Sequence, residues 1–287
     1  MAVGVMTAVA IPTRVAALAR LELGDVLRSR WLIFCGALYA ALAALFIGIG
    51  LHESAVMGFT GMARVLLSLT HALVVLLPLL ALTGTGLVVA RARGDGTLEL
   101  LFSQPITRDE YFSAVTLVRF GALFAPLLVL MPGLAVFGAL AFHQAVPWGF
   151  LARAIVVSAA LLWSFTGLGL AVSVRVRELD RVMMYLLVIW VLSVALLDLG
   201  LVGLMLQWQL PAPVVFTLAG LNPVETARLA LLSGAEPSLG TLGPVGFFLH
   251  RTLGATWLFV AGVTWPLAVG TFGWLAARRR LRAGDLI

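Results

Sequence analysis

The chain has 287 residues, of which 62% are hydrophobic and 11% charged, a balance that leaves no room for a large soluble domain and predicts a polytopic, all-α membrane protein. The formal net charge is +6, and all 19 basic residues are arginine. Without lysine there is no Walker A motif and no Schiff-base chemistry, so the chain cannot hydrolyse a nucleotide through a P-loop of its own and is not expected to be an enzyme.

From the N-terminus, the first eleven residues lack a basic stretch and a cleavage site, so a removable signal peptide is not expected. Residues 13–30 read as an amphipathic helix lying at the membrane interface. Val15, Ala19, Leu23 and Val26 share one face, Arg14, Asp25 and Arg28 gather on the other, and Glu22 interrupts the pattern. Six apolar runs follow, at 31–51, 65–90, 115–142, 152–173, 183–206 and 253–277. Each reaches the roughly twenty residues that a ~30 Å hydrocarbon core requires.

Six spans put both termini on one face, and the arginines then sort by side. Arg14, Arg20, Arg28, Arg30, Arg91, Arg93, Arg108, Arg119, Arg175, Arg177, Arg181, Arg278, Arg279, Arg280 and Arg282 fall on that face. Only Arg64, Arg153, Arg228 and Arg251 are left for the other. The positive-inside rule makes the crowded face, with both termini, cytoplasmic. Arginines flanking spans suit contact with membrane lipid headgroups, and no basic stretch is interleaved with exposed aromatics, so nucleic acid is not an expected partner.

The connection 94–111 carries the sharpest pattern. Gly94 and Gly96 break the second span, Thr97 can cap, and Leu98, Leu101 and Phe102 form an apolar stripe beside Glu99. Pro105 ends this short helix, and Thr107 with Glu110 predicts a capping box for the next one, which begins near Arg108. Such a helix can dock a partner, or it can be an ordinary capped loop. The external segment 207–252 is too long for a turn. Within it 213–221 is too short to span and predicts a re-entrant or interfacial piece. Asn222, Pro223 and Glu225 predict a helix start, and the helix should end near Ser233 and Gly234.

Candidate chemistry is sparse. Cys35 is the single cysteine, and His52, His71, His143 and His250 are scattered without an HExxH pattern; no GxSxG elbow is present. Met131, Met183, Met184 and Met205 have copper-compatible sulfur, but isolated methionines in apolar helices ordinarily serve packing, and no metal site is assigned. Asp198 is the one acidic residue deep within a span. It costs roughly 2.5 to 3.5 kcal/mol on insertion scales, and it therefore belongs at a transport path or dimer interface, or against a polar partner.

The stretch from Gly96 to Tyr111, GTLELLFSQPITRDEY, resembles the first cytoplasmic loop of ABC-2 type permeases. Arg91 and Arg93 stand where that family often has acidic residues, and Ala114 and Val115 replace its usual Gly-Lys pair. A narrower resemblance spreads over nearly the whole chain. ARLELGDVLRSRW at 19–31, Asp198 within LLDLGL, LNP at 221–223, Arg228 and LSG at 232–234 are similar to the permease family of transporters that mature nitrous oxide reductase.

The resemblance implies a six-helix ABC-2 (type V) exporter architecture in the bacterial inner membrane. It implies a second copy of the chain, a cytoplasmic ATPase carrying ATP and Mg, and a periplasmic copper-processing accessory protein. Gly96, Thr97, Leu98, Glu99, Leu101, Phe102, Pro105 and Arg108 would couple to the ATPase, and Asn222, Pro223 and Arg228 would meet the external partner. The cargo is left open between a sulfur species, a copper-related species and mechanical work. An exporter of lipid, drug or peptide and an intramembrane enzyme are the alternative functions.

Overall fold

The computed structural model describes residues 11–57, 62–142, 146–196, 214, 217, 219–235 and 253–283, and no strand occurs among them. Ten α-helices are defined there: α1 Ile11–Arg28, α2 Arg30–Met57, α3 Met62–Gly86, α4 Val88–Gly94, α5 Thr97–Phe102, α6 Arg108–Phe142, α7 Trp148–Arg175, α8 Leu179–Val191, α9 Pro223–Ala235 and α10 Gly254–Ala283. Four stretches are long and apolar enough to cross a membrane: Leu66–Gly94, Arg108–Leu140, Trp148–Arg175 and Gly254–Ala283. The protein is therefore a multi-pass membrane protein. The apolar helix Arg30–Leu42 begins α2, and α8 passes into a π-helical turn at Leu192–Leu196. Asp198, Met205, His52, His143, His250 and Arg251 carry expectations that lie outside the described residues or side chains.

The fold is organised around α7, two thirds of whose apolar window is buried. It packs most extensively against α10 and α3, while α9 fills the angle between α7 and α10. Apolar side chains alone gain little by leaving lipid for another helix, so association between spans relies on close packing and hydrogen bonds. Glycines supply the close approach. A Cβ on Gly270 would stand 2.5 Å from the carbonyl oxygen of Trp163, and one on Gly273 would stand 2.8 Å from the carbonyl carbon of Gly167. Gly262 admits the backbone of Thr226 in α9, and Gly169 admits the hydroxyl of Thr85 in α3.

Span two differs from its expected shape. The apolar run 65–90 predicts an unbroken helix ending near Ala90, but the chain breaks at Leu87, between α3 and α4. A new helix start leaves backbone N–H groups without intrahelical partners. The hydroxyl of Ser173 in α7 accepts two of them, from Val89 at 3.0 Å and Ala90 at 3.2 Å. A tertiary hydrogen bond thus stabilises a break that falls directly after Gly84 and Gly86.

The amphipathic helix α1 also turns differently. Leu18 and Val26 are buried, whereas Leu23, expected on the apolar face, is exposed. Glu22 is the reason. It lies on the packed face, and its carboxylate pairs with Arg119 of α6 at 2.6 Å. The residue that interrupts the sequence pattern is the one that orients the helix.

If backbone contact at Gly270 holds α10 to α7, then Gly270→Ala should lower stability by about 1–3 kcal/mol through overpacking. Alanine is otherwise the better helix former by about 1 kcal/mol. Gly121→Ala in α6, where an added Cβ meets open space, should be neutral or stabilising. Thermal unfolding of the detergent-solubilised protein checks both, and equal melting temperatures for the two variants would reject the close-packing account.

Candidate functional site

At the arginine-rich end of the bundle, α4 turns through Asp95 and Gly96 into the short helix α5. Gly96 has φ of +71°, a left-handed conformation that glycine adopts without a Cβ clash. Gly96, rather than the expected Thr97, is thus the N-cap of α5, and Thr97 is its first helical residue. The helix ends at Phe102, and Ser103 to Pro105 follow as exposed residues.

The eight residues marked as a coupling set divide by burial. Leu98 is buried, and Leu101 and Phe102 are half-buried. All three join a second apolar cluster with Val89, Tyr111, Phe112, Leu170, Val174 and Leu281, separate from the main core. Phe102 meets Tyr111 edge-on at 5.9 Å, and the Arg108 guanidinium lies 6.0 Å from the Phe102 ring centre. The apolar stripe therefore packs α5 against α4 and α6, within a cluster that α7 and α10 also join. The outward face is Glu99, Leu100, Ser103 and Gln104, with Leu100 72% exposed. Sequence reasoning passed over Leu100 because it sits between two stripe leucines, and only packing separates the three.

The start of α6 is built as the sequence predicts. Thr107 donates its N–H to Glu110 Oε2 at 2.8 Å, and Glu110 returns its own N–H to Thr107 Oγ1 at 3.2 Å, which completes the capping box. Arg108 then reaches the last turn of α10, donating to the carbonyls of Leu281 at 3.0 Å and Arg282 at 3.1 Å. Those carbonyls have no helical donors of their own.

Asp109, next in sequence, closes the connection from the other side. Its carboxylate accepts from Arg278 at 2.9 Å and from Arg282 Nε at 2.7 Å, with a further contact to Arg282 Nη2. Acidic residues in the first turn of α6 and arginines in the last turn of α10 also complement the two helix dipoles. Trp274 strengthens the joint, donating its indole N–H to Thr116 at 3.1 Å while Arg278 stacks over its ring. Asp109, Arg278 and Arg282 are functional candidates that sequence reasoning missed. Their signal is only opposite charge 169 and 173 residues apart.

At the opposite end of α7, Asn222 caps α9, accepting from the Val224 N–H at 3.0 Å and donating to the Ser193 carbonyl at 2.6 Å. The expected helix start is present, with Pro223 at its first position, and the helix runs to Ala235, slightly past the expected stop. The Asn222 N–H goes to the Ala219 carbonyl, and Glu225 pairs with Arg228 at 2.8 Å. Asn222 and Pro223 are buried, which makes them scaffold for α9. Among the methionines, Met131 is fully buried in the main core, whereas Met183 and Met184 are exposed on α8. His71 is half-buried on α3.

A family model described as ABC-2 family transporter protein matches residues 16–277, which covers every helix of the bundle except the first residues of α1 and the end of α10. A protein of Pseudomonas aeruginosa described as probable ABC transporter permease protein NosY is 30% identical, with 89% of this chain and 96% of the relative aligned. Another of the same description, from Stutzerimonas stutzeri, is 28% identical over 92% of this chain and 98% of its own length. A buried transmembrane bundle with a capped elbow at its arginine-rich end, matched over nearly its full length, makes this chain a member of the ABC-2 family, a permease of an ABC transporter.

Proposed function

We propose that this chain is the membrane subunit through which a separate ATPase performs work in support of maturing the copper-sulfur site of nitrous oxide reductase. The observation that carries the coupling part is the α5 elbow, whose inward face packs into an apolar cluster shared with α4, α6, α7 and α10 while Glu99, Leu100, Ser103 and Gln104 face outward. A partner pressing on that face moves the elbow as one body with α6 and α10. ATP and Mg belong to the partner.

In this reading α2 and α8 complete six spans, and the arginine-rich end with both termini lies on the cytoplasmic side of a bacterial inner membrane. A second copy completes the permease, and a periplasmic copper-processing protein meets the external segment that includes α9. The maturation role is supported by the likeness to proteins named NosY along nearly the whole chain. Asp198 is placed at the path or the dimer interface in this reading.

Within the coupling set, Leu98, Leu101 and Phe102 hold the elbow, and Leu100 is the anchor offered to the ATPase. Asp109 with Arg278 and Arg282 transmits motion between α6 and α10. These ion pairs are about a third to a half exposed, so each contributes modest stability, typically under ~1 kcal/mol, and their value is geometric.

Three measurements test this reading. Leu100→Asp should insert normally and weaken copurification of the ATPase by about 2 kcal/mol, roughly thirtyfold in affinity; an undiminished complex would remove α5 from the docking role. Asp109→Arg should leave that complex intact while lowering ATP-dependent maturation of the reductase, and adding Arg282→Asp should restore it in part. Wild-type maturation in the single variant would reject the clasp as a transmission element. In a Cys35→Ala background, an impermeant thiol reagent applied to intact cells should label Ser238→Cys but neither Gly94→Cys nor Arg177→Cys; the opposite pattern would invert the topology.

A further inference from the structure

A cavity of about 800 Å³ opens at the arginine-rich end, bounded by α1, the start of α2, α4, α5 and the start of α6. That volume lies within the range of small-molecule and cofactor sites. Its lining has two kinds of chemistry. Leu18, Leu21, Leu87 and Met183 give apolar wall, and Trp31 joins them with its ring packed on Gly84 of α3.

The charged part of the lining balances. Glu22 and Arg119 neutralise each other at 2.6 Å. That leaves Arg30, Arg91, Asp25 and Asp95, all exposed, none of which joins an ion pair among the described residues. Two guanidinium groups and two carboxylates carry no net charge. A pocket for an anionic headgroup is built from an excess of basic residues. This one complements a ligand that presents phosphate and ammonium together.

Apolar surface lies on both flanks of α1. On the opposite flank of α1, a groove of about 740 Å³ is lined by Leu23, Leu27, Leu32, Leu117 and Val129 and is almost wholly apolar.

We propose that the cavity binds the headgroup of phosphatidylethanolamine, with its phosphate at Arg30 and Arg91, its ammonium at Asp25 and Asp95, and its chains along α1. Guanidinium groups recognise phosphate through charge-assisted hydrogen bonds, and a primary ammonium offers three N–H donors to carboxylates. A choline headgroup has no such donor. Thr97 and Leu101 of the elbow line the same cavity, so a bound lipid touches the element assigned to coupling. The proposal rests on the proposed function only in setting this end of the bundle at headgroup level.

Native mass spectrometry of the purified full-length chain, exposed in detergent to dioleoyl phosphatidylethanolamine, phosphatidylcholine or phosphatidylglycerol, tests the assignment. One phosphatidylethanolamine per chain should be retained at least tenfold more than either other lipid. Arg91→Gln and Asp95→Asn should each cut that retention about tenfold, while melting temperature stays unchanged because neither side chain is in an ion pair. Equal retention of phosphatidylethanolamine and phosphatidylglycerol, or undiminished retention in both variants, would overturn the site. Release of the lipid by equimolar soluble phosphoethanolamine would assign the pocket to a soluble ligand and overturn the lipid. Neither ATPase nor reductase enters the assay, so its failure is separable from failure of the proposed function.

Discussion

The contact of α7 with α10 at Gly167, Gly270 and Gly273 is the constraint on which the bundle rests. Where side chains gain little by leaving lipid, two helices hold together by bringing backbones into van der Waals contact, and that requires residues without a Cβ at the crossing. With α10 fixed there, α9 is seated by Gly262, and α3 is held on another side of α7 by Gly169. Each of these approaches tolerates no added methyl group at its present spacing. The same geometry carries the position of the long helices to the arginine-rich end.

At that end a different physics takes over. Apolar packing in the second cluster fixes the inward face of α5, and charge fixes the joint between α6 and α10. Asp109 serves two arginines, and Arg108 serves two terminal carbonyls, so consecutive residues pair with both the side chains and the backbone of one helix end. Because the ion pairs are partly solvated, they are readily remade as helices shift, whereas the packing of the buried Leu98 of α5 is not.

The break at Leu87 and the orientation of α1 show how tertiary contacts override local pattern. Ser173 lies in a helix 84 residues further along the chain than Val89, yet its hydroxyl lets span two bend by accepting two N–H groups. Glu22 reads as a flaw in an amphipathic helix until Arg119 is brought opposite it, after which it is the best-paired group on the helix. The cavity beside α1 depends on both features, since α4 and α1 form facing walls.

The sequence by itself determined what is local or cumulative. Apolar runs placed the long helices, and short-range hydrogen bonding made the Thr107–Glu110 and Asn222–Pro223 helix starts legible to within a residue. The α5 elbow was legible as an element, through Gly96 and Pro105. Which of Leu98, Leu100, Leu101 and Phe102 face outward was not, because that depends on where α6 and α10 stand. The clasp between Asp109 and Arg278 and Arg282, and the charge-balanced cavity, were likewise decided only by tertiary structure. Opposite charges more than 160 residues apart become partners only after close helix packing has set their distance.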